Sequence, residues 1–255
     1  MKRKKRLLIL LLIIVLGAGV FFLSRPGHSR QFTGNNPLVV KGSLILPHVV
    51  MPYLQNGDII LRMSDSTWSL MFSDYSLIDK RFSHLGIVRM HEDGSITIIH
   101  SLGSLRNRRM GVSEMSLNHF LQVASSIGVF RVKNADGDVI TETALQYVGR
   151  PFDFDFNLDD ESEIYCTELL YTALRPLGME HILSTVYAEQ VDMHVIPLEA
   201  ISHSPDIEEI IYIVLENFVV QYNDQFVAID NHAREIWYQR FLLNILSRVK
   251  IRRRG

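Results

Sequence analysis

Apolar and polar positions alternate most clearly between residues 56 and 100. The turn signal Asn56-Gly57-Asp58 leads into Ile59-Ile60-Leu61-Arg62-Met63, which predicts a strand. Segments 84–90 and 96–100 predict two more strands. They are joined across His91-Glu92-Asp93-Gly94-Ser95, a strong hairpin signal. Residues 64–82 are less regular, with Trp68, Leu70, Met71, Phe72, Tyr75 and Ile78 lining a short helix or a large loop. Met115, Leu117, Phe120, Leu121 and Ala124 recur at helical spacing and predict a helix over 113–126, followed by a strand over 128–133. Asp138 is the expected cap of a helix running to about Val148 and ended by Gly149-Arg150-Pro151. The next helix is expected over 163–174, capped from Ser162 or Asp160, with Gly178 closing the region. Val195-Ile196-Pro197 reads as a short edge strand, 210–215 as strand or helix, and 232–248 as a final amphipathic helix. Antiparallel strands followed by helices and more strand point to an α+β fold rather than a doubly wound parallel sheet.

The longest uncharged run, 7–23, follows the basic stub Lys2-Arg3-Lys4-Lys5-Arg6. Positive charge beside such a run holds that side in the cytoplasm and sends the remainder across. The expected organisation is a cytoplasmic stub (1–6), a transmembrane signal anchor (7–24), a linker (25–42) and a folded domain with a C-terminal helical extension (43–255). That makes a single-pass membrane protein with its C-terminal domain extracytoplasmic, on the periplasmic side of an inner membrane. Cleavage of the run as a secretory signal would release the domain instead.

Charge is uneven. The net charge of −2 hides seven basic residues and no acidic one in 1–30, and five basic residues within 248–254; the segment between holds 14 basic against 28 acidic. An acidic body between basic ends argues against a nucleic-acid partner, whose footprint is a basic patch on the fold itself. The basic end of 232–248 is suited to contact with anionic lipid. A single cysteine excludes an intramolecular disulfide framework and a multi-cysteine zinc site.

That cysteine, Cys166, lies in Glu163-Ile164-Tyr165-Cys166-Thr167-Glu168-Leu169-Leu170, in the first or second turn of the predicted helix. Free backbone N–H groups and the helix field there favour a thiolate. A free cysteine is more often a small buried hydrophobe, so the chemical reading needs an imidazole within reach and a third group to orient it. His84 is the candidate base, with alternation placing His84, Gly86 and Val88 on one strand face and Gly86 leaving open space beside the ring. Hairpin geometry decides whether His100 can orient it. A two-residue Asp93-Gly94 turn puts the two histidines on opposite faces. A three-residue loop with Gly94 left-handed pairs His91 with Ser95 and Gly86 with His100, making His84 and His100 diagonal neighbours on one face. The residues allow either.

Together these segments resemble the circularly permuted papain-like cysteine amidases, a YiiX-like branch related to NlpC-type cell-wall peptidases and to lecithin–retinol acyltransferase. The matching pieces are Asn56-Gly57-Asp58-Ile59-Ile60-Leu61, Phe82-Ser83-His84-Leu85-Gly86-Ile87-Val88 and Tyr165-Cys166-Thr167-Glu168-Leu169-Leu170, with the histidine strand before the cysteine helix. The resemblance spans about 54–200. It implies a permuted papain-like α+β fold in which an antiparallel sheet packs on the cysteine helix, behind the transmembrane segment. It further implies Cys166 as nucleophile, His84 as base and His100 as orienter. Asp58, Tyr165, Glu168 and Arg106 are secondary candidates for substrate binding or for supporting the site. The implied activity is a membrane-anchored hydrolase cleaving an amide, as in a cell-wall peptide, through a thioacyl intermediate, with no cofactor or metal. A lipid acylhydrolase or acyltransferase using the same residues and a non-catalytic envelope scaffold are the alternatives. Asp153, Asp155, Asp159 and Asp160 lack the spacing of a calcium loop.

Overall fold

A computed structural model describes residues 30–31, 37–64, 79, 81–103, 110–188, 193–216, 219–222 and 225–228. Residues 31–228 form one compact unit. The described strands are β1 (Arg30–Gln31), β2 (Leu38–Val40), β3 (Ile59–Ser64), β4 (His84–Met90), β5 (Ile96–Ser101), β6 (Val112–Ser116), β7 (Ala124–Val132), β8 (Val186–Ala188), β9 (Met193–Val195), β10 (Ile207–Leu215), β11 (Val219–Tyr222) and β12 (Gln225–Ala228). Seven of them make the main sheet, in the order β2-β10-β7-β3-β4-β5-β6. Every pairing in it is antiparallel except β10 with β2. The strands β8 and β9 form a hairpin, and β1, β12 and β11 a separate three-stranded sheet.

Alternation along the central strands sorts their side chains into two apolar layers. Ile59, Leu61, Leu85, Ile87 and Ile99 meet Leu169, Leu170 and Ala173 of the helix Cys166–Leu174. Ile60, Val88 and Ile98 turn the other way, onto Phe120, Leu121, Ile127 and Val129. Each fully buried aliphatic side chain contributes about 1.5–3 kcal/mol, so the first layer is what presses the cysteine helix to the sheet.

Three local expectations change. The helix expected over 113–126 divides into β6, the short helix Leu117–Leu121 and the start of β7. Pairing with β5 occupies the backbone of 112–116, and Ser116 then caps the short helix by accepting from the His119 N–H at 3.3 Å. The helix Gly137–Leu145 is capped by Asp136 rather than Asp138; the Asp136 carboxylate accepts from the N–H groups of Asp138 and Val139. The ambiguous 210–215 is part of β10, held between β7 and β2.

The fold class is also corrected. Among the described residues no helix is long and apolar enough to cross a membrane. The α-helices there run from four to nine residues, against the ~20 a span needs. The expected span, 7–24, lies outside the described residues, as do the helix expected over 232–248 and most of 64–82. The described fold is α+β with no membrane helix. The membrane anchor, the membrane as partner and the single-pass extracytoplasmic localisation have no support in it and are dropped.

Candidate functional site

The β4–β5 hairpin adopts the three-residue loop. Ile87 pairs with Ile99, Val88 with Ile98 and Met90 with Ile96. His91 donates its N–H to the Ser95 carbonyl at 2.9 Å, and Gly94 sits at φ +80°, where glycine carries no Cβ penalty. His84 and His100 therefore share a face, and Nε2 of His84 lies 2.9 Å from Nδ1 of His100. Both rings pack around Phe120, with centroids 6.0 and 5.9 Å from its ring. The space expected beside Gly86 is filled: a Cβ there would lie 2.2 Å from Cγ2 of Ile98 and 3.3 Å from Phe120. Gly86 permits close strand-to-side-chain packing rather than leaving an opening.

Both histidines are buried and weakly basic. Burial is the main cause for each, with the Arg62 guanidinium next. His84 falls well below its usual value, and His100 is lowered to about 3. The pair is neutral near pH 7. If the bond runs from the Nε2–H of His84 to Nδ1 of His100, Nδ1 of His84 holds the free lone pair.

Cys166 is the first residue of its helix, and Tyr165 rather than Ser162 or Asp160 occupies the cap position. Glu168 reaches back to accept the Tyr165 N–H at 3.1 Å, which fixes the start of the helix. Thr167 Oγ1 donates to the Ile196 carbonyl at 2.7 Å, and Ser101 Oγ donates to the Ile164 carbonyl. The second of these bonds ties the residue after His100 to the segment entering Cys166. The thiol is buried, and burial pushes it up to about 11, against the opposing pull of backbone N–H groups of Leu85, Thr167 and Cys166. No hydrogen bond joins Cys166 to His84 among the described contacts, because His84 turns toward the Phe120 layer while Cys166 lies in the Leu85 layer. The expected dyad with a ready thiolate is therefore not formed. The two residues meet only at the start of β4, where Leu85 follows His84.

Arg62 is the site residue that the motifs did not single out. It pairs with His84 across β3 and β4 and is 6% exposed. Its Nη1 donates to the Phe120 carbonyl at 2.7 Å, and its guanidinium lies 4.2 Å from the centre of the Phe120 ring. A lone arginine inside an otherwise apolar strand, level with the histidine strand, was the available signal.

The secondary candidates divide. Asp58 is buried in an ion pair with Arg131, accepts the Gln55 N–H, and supports the β3–β7 contact rather than the site. Burial raises its carboxyl against those partners. Tyr165 accepts the Ile196 N–H on its hydroxyl at 3.2 Å and is an internal prop. Glu168 is buried, and burial pushes it up to about 8. Arg106 lies outside the described residues. Asp153 turns its carboxylate on its own loop, accepting the N–H groups of Asp155, Phe156 and Asn157.

No curated protein matches the chain. A crystal structure of the metalloprotein yiiX from Escherichia coli O157:H7 matches with a TM-score of 0.50 at 20% identity, covering 60% of this chain and 94% of that one. At that identity the likeness shows the shared fold. The profile of the permuted papain-like amidase enzymes, YaeF/YiiX, C92 family, matches residues 53–190, more than half of the chain and the whole stretch from β3 to the cysteine helix. With the histidine strand ahead of the cysteine helix and the sheet packed on that helix, the chain belongs to the permuted papain-like amidase enzymes of the YaeF/YiiX, C92 family.

Proposed function

We propose that the protein hydrolyses an amide bond at the site made by Cys166, His84 and His100. The observation that supports this reading is the buried His84–His100 bond at 2.9 Å, which orients one imidazole beside Leu85, whose N–H approaches the sulfur. The resting groups are neutral, so the thiol proton moves only as substrate arrives. Sγ attacks the carbonyl carbon while its proton passes to His84 Nδ1, and the carbonyl electron pair collects on oxygen. N–H groups at the start of the cysteine helix are placed to receive that charge. The C–N bond then breaks as the imidazolium returns its proton to the departing nitrogen. Water, deprotonated by His84, cleaves the thioester and the proton returns to sulfur. The reading requires Nδ1 of His84 to come within reach of the thiol when substrate binds.

The yiiX structure is described as that of a metalloprotein. Among the described residues no group of three or more His, Cys, Asp or Glu side chains could hold a metal ion, and facing nitrogens of His84 and His100 are bonded to each other. The described residues therefore do not fit a metal ion.

The experiment is a mass-spectrometric screen of amide-containing peptides and N-acylated lipids with wild-type protein, Cys166→Ala and His84→Ala. Turnover lost in both variants, with folding intact, supports the reading. Turnover that survives Cys166→Ala overturns it.

A further inference from the structure

Arg62 carries a charge that no described carboxylate neutralises. It is buried at 6% exposure. The one described hydrogen bond of its guanidinium is to the Phe120 carbonyl, it stacks on the Phe120 ring, and its Nε has no partner. Burying a guanidinium on those terms is costly, since a carbonyl and a ring face replace little of its hydration. Burial lowers it to about 10, which leaves it cationic near neutral pH. Its position explains what such a charge can act on. It stands level with His84 across β3 and β4, and Ser83 just before that histidine donates its N–H to the Arg62 carbonyl at 2.9 Å. Both histidines share its Phe120 platform. The sulfur of Cys166 meets the same strand end from the other face of the sheet, at the N–H of Leu85, so Arg62 reaches it across the strand and not by contact.

We propose that Arg62 is the cation that supports the Cys166 thiolate as it forms, in the place an imidazolium takes when thiol and imidazole are paired at rest. The inference rests on Cys166 being the nucleophile. It adds to the burial that keeps the histidine pair neutral: a fixed positive charge beside the rings further opposes their protonation and favours the anion on sulfur. The other titratable groups around the thiol are His84 from β4, His100 from β5, and Tyr165 and Glu168 from its own helix start, with His119 beyond His100. Of these groups, Arg62 alone carries a permanent positive charge. Arg62 acts on the thiol through space and is a positioning residue.

The test is alkylation of Cys166 in the full chain, followed by intact mass, from about pH 8 to about pH 10, with neutral iodoacetamide and anionic iodoacetate. In the wild-type protein the iodoacetate-to-iodoacetamide rate ratio should exceed that of an unstructured cysteine peptide. Arg62→Met should slow both reagents about tenfold and bring the ratio down to the peptide's, while Arg62→Lys retains most of the ratio. Loosened packing would instead speed both reagents. A wild-type ratio no higher than the peptide's overturns the proposal, as does a folded Arg62→Met with unchanged rates and ratio. If Arg62→Met does not fold, the wild-type and Arg62→Lys ratios decide. Alkylation needs no turnover, so this result is separate from the amidase screen: turnover surviving Cys166→Ala removes the nucleophile, whereas an unchanged ratio removes Arg62.

Discussion

His84 and His100 are bound to one another, Nε2 to Nδ1 at 2.9 Å, from adjacent strands at a diagonal that only the three-residue Glu92-Asp93-Gly94 loop permits. Among the described residues no carboxylate is bonded to His100 to strengthen the pair. Its own Nε2 is buried without a partner. The proposed base, His84, is thus bonded to a neutral neighbour rather than to an anion.

Loss of that neighbour should be felt in turnover before binding. His100→Ala removes the hydrogen-bond partner of His84 Nε2, and misplacing a base by about 1 Å costs up to about 10²-fold. The expected outcome is a kcat reduced by about tenfold to a hundredfold with KM little changed. His100→Asn, which can still accept, should recover part of it. Steady-state kinetics on whichever amide the screen identifies makes the measurement.

The thiol should be slow near neutrality. With Cys166 raised to about 11, about one thiol in ten thousand is ionised at pH 7. The rate of iodoacetamide modification should climb about tenfold per pH unit between about pH 7 and about pH 10. A plateau below pH 8 would show that a thiolate pre-exists in the free protein. The helix start by itself favours the thiolate, and burial opposes it.

Gly86→Ala should destabilise the hairpin. The new methyl would meet Ile98 Cγ2 at 2.2 Å, and overpacking of this kind costs about 1–3 kcal/mol. Ile98→Ala in the same chain should return part of the loss, a coupling that urea titration of both single variants and the double variant measures.

Glu168 links pH to stability. Its carboxyl is raised from 4.5 to about 8 in the folded protein, so between those values the folded state holds a proton that the unfolded chain has released. Stability falls as pH rises through that window, by at most about 1.4 kcal/mol per pH unit, and levels off above it. Glu168→Gln keeps an acceptor for the Tyr165 N–H and removes the titration. The variant should gain on the wild-type protein as pH rises from about 4.5 to about 8 in denaturant melts.

Much of this was legible in the chain. The runs at 59–63, 84–90 and 96–100 become β3, β4 and β5, because period-two alternation with turn residues between has one stable solution when both sheet faces are covered. The motif order from Asn56 through His84 to Cys166 identified the family that the profile match shows. The segment 113–126 was misread because its apolar spacing suits a helix, whereas pairing with β5 claims the first half of it.

By itself, then, the sequence determined the central hairpin strands, the cysteine at a helix start and the family, since these follow from local periodicity and short-range order. It left the hairpin register open between two loops, and only the assembled sheet selected the one that joins His84 to His100. Tertiary structure also decided the chemistry of the thiol. Burial overrides the helix field and the N–H of Leu85 and keeps Cys166 protonated, and the sheet brings Arg62 level with His84. Proton affinities depend on what surrounds a group in space, and residues 62, 84, 100 and 166 become neighbours only when the strands pair and the helix packs.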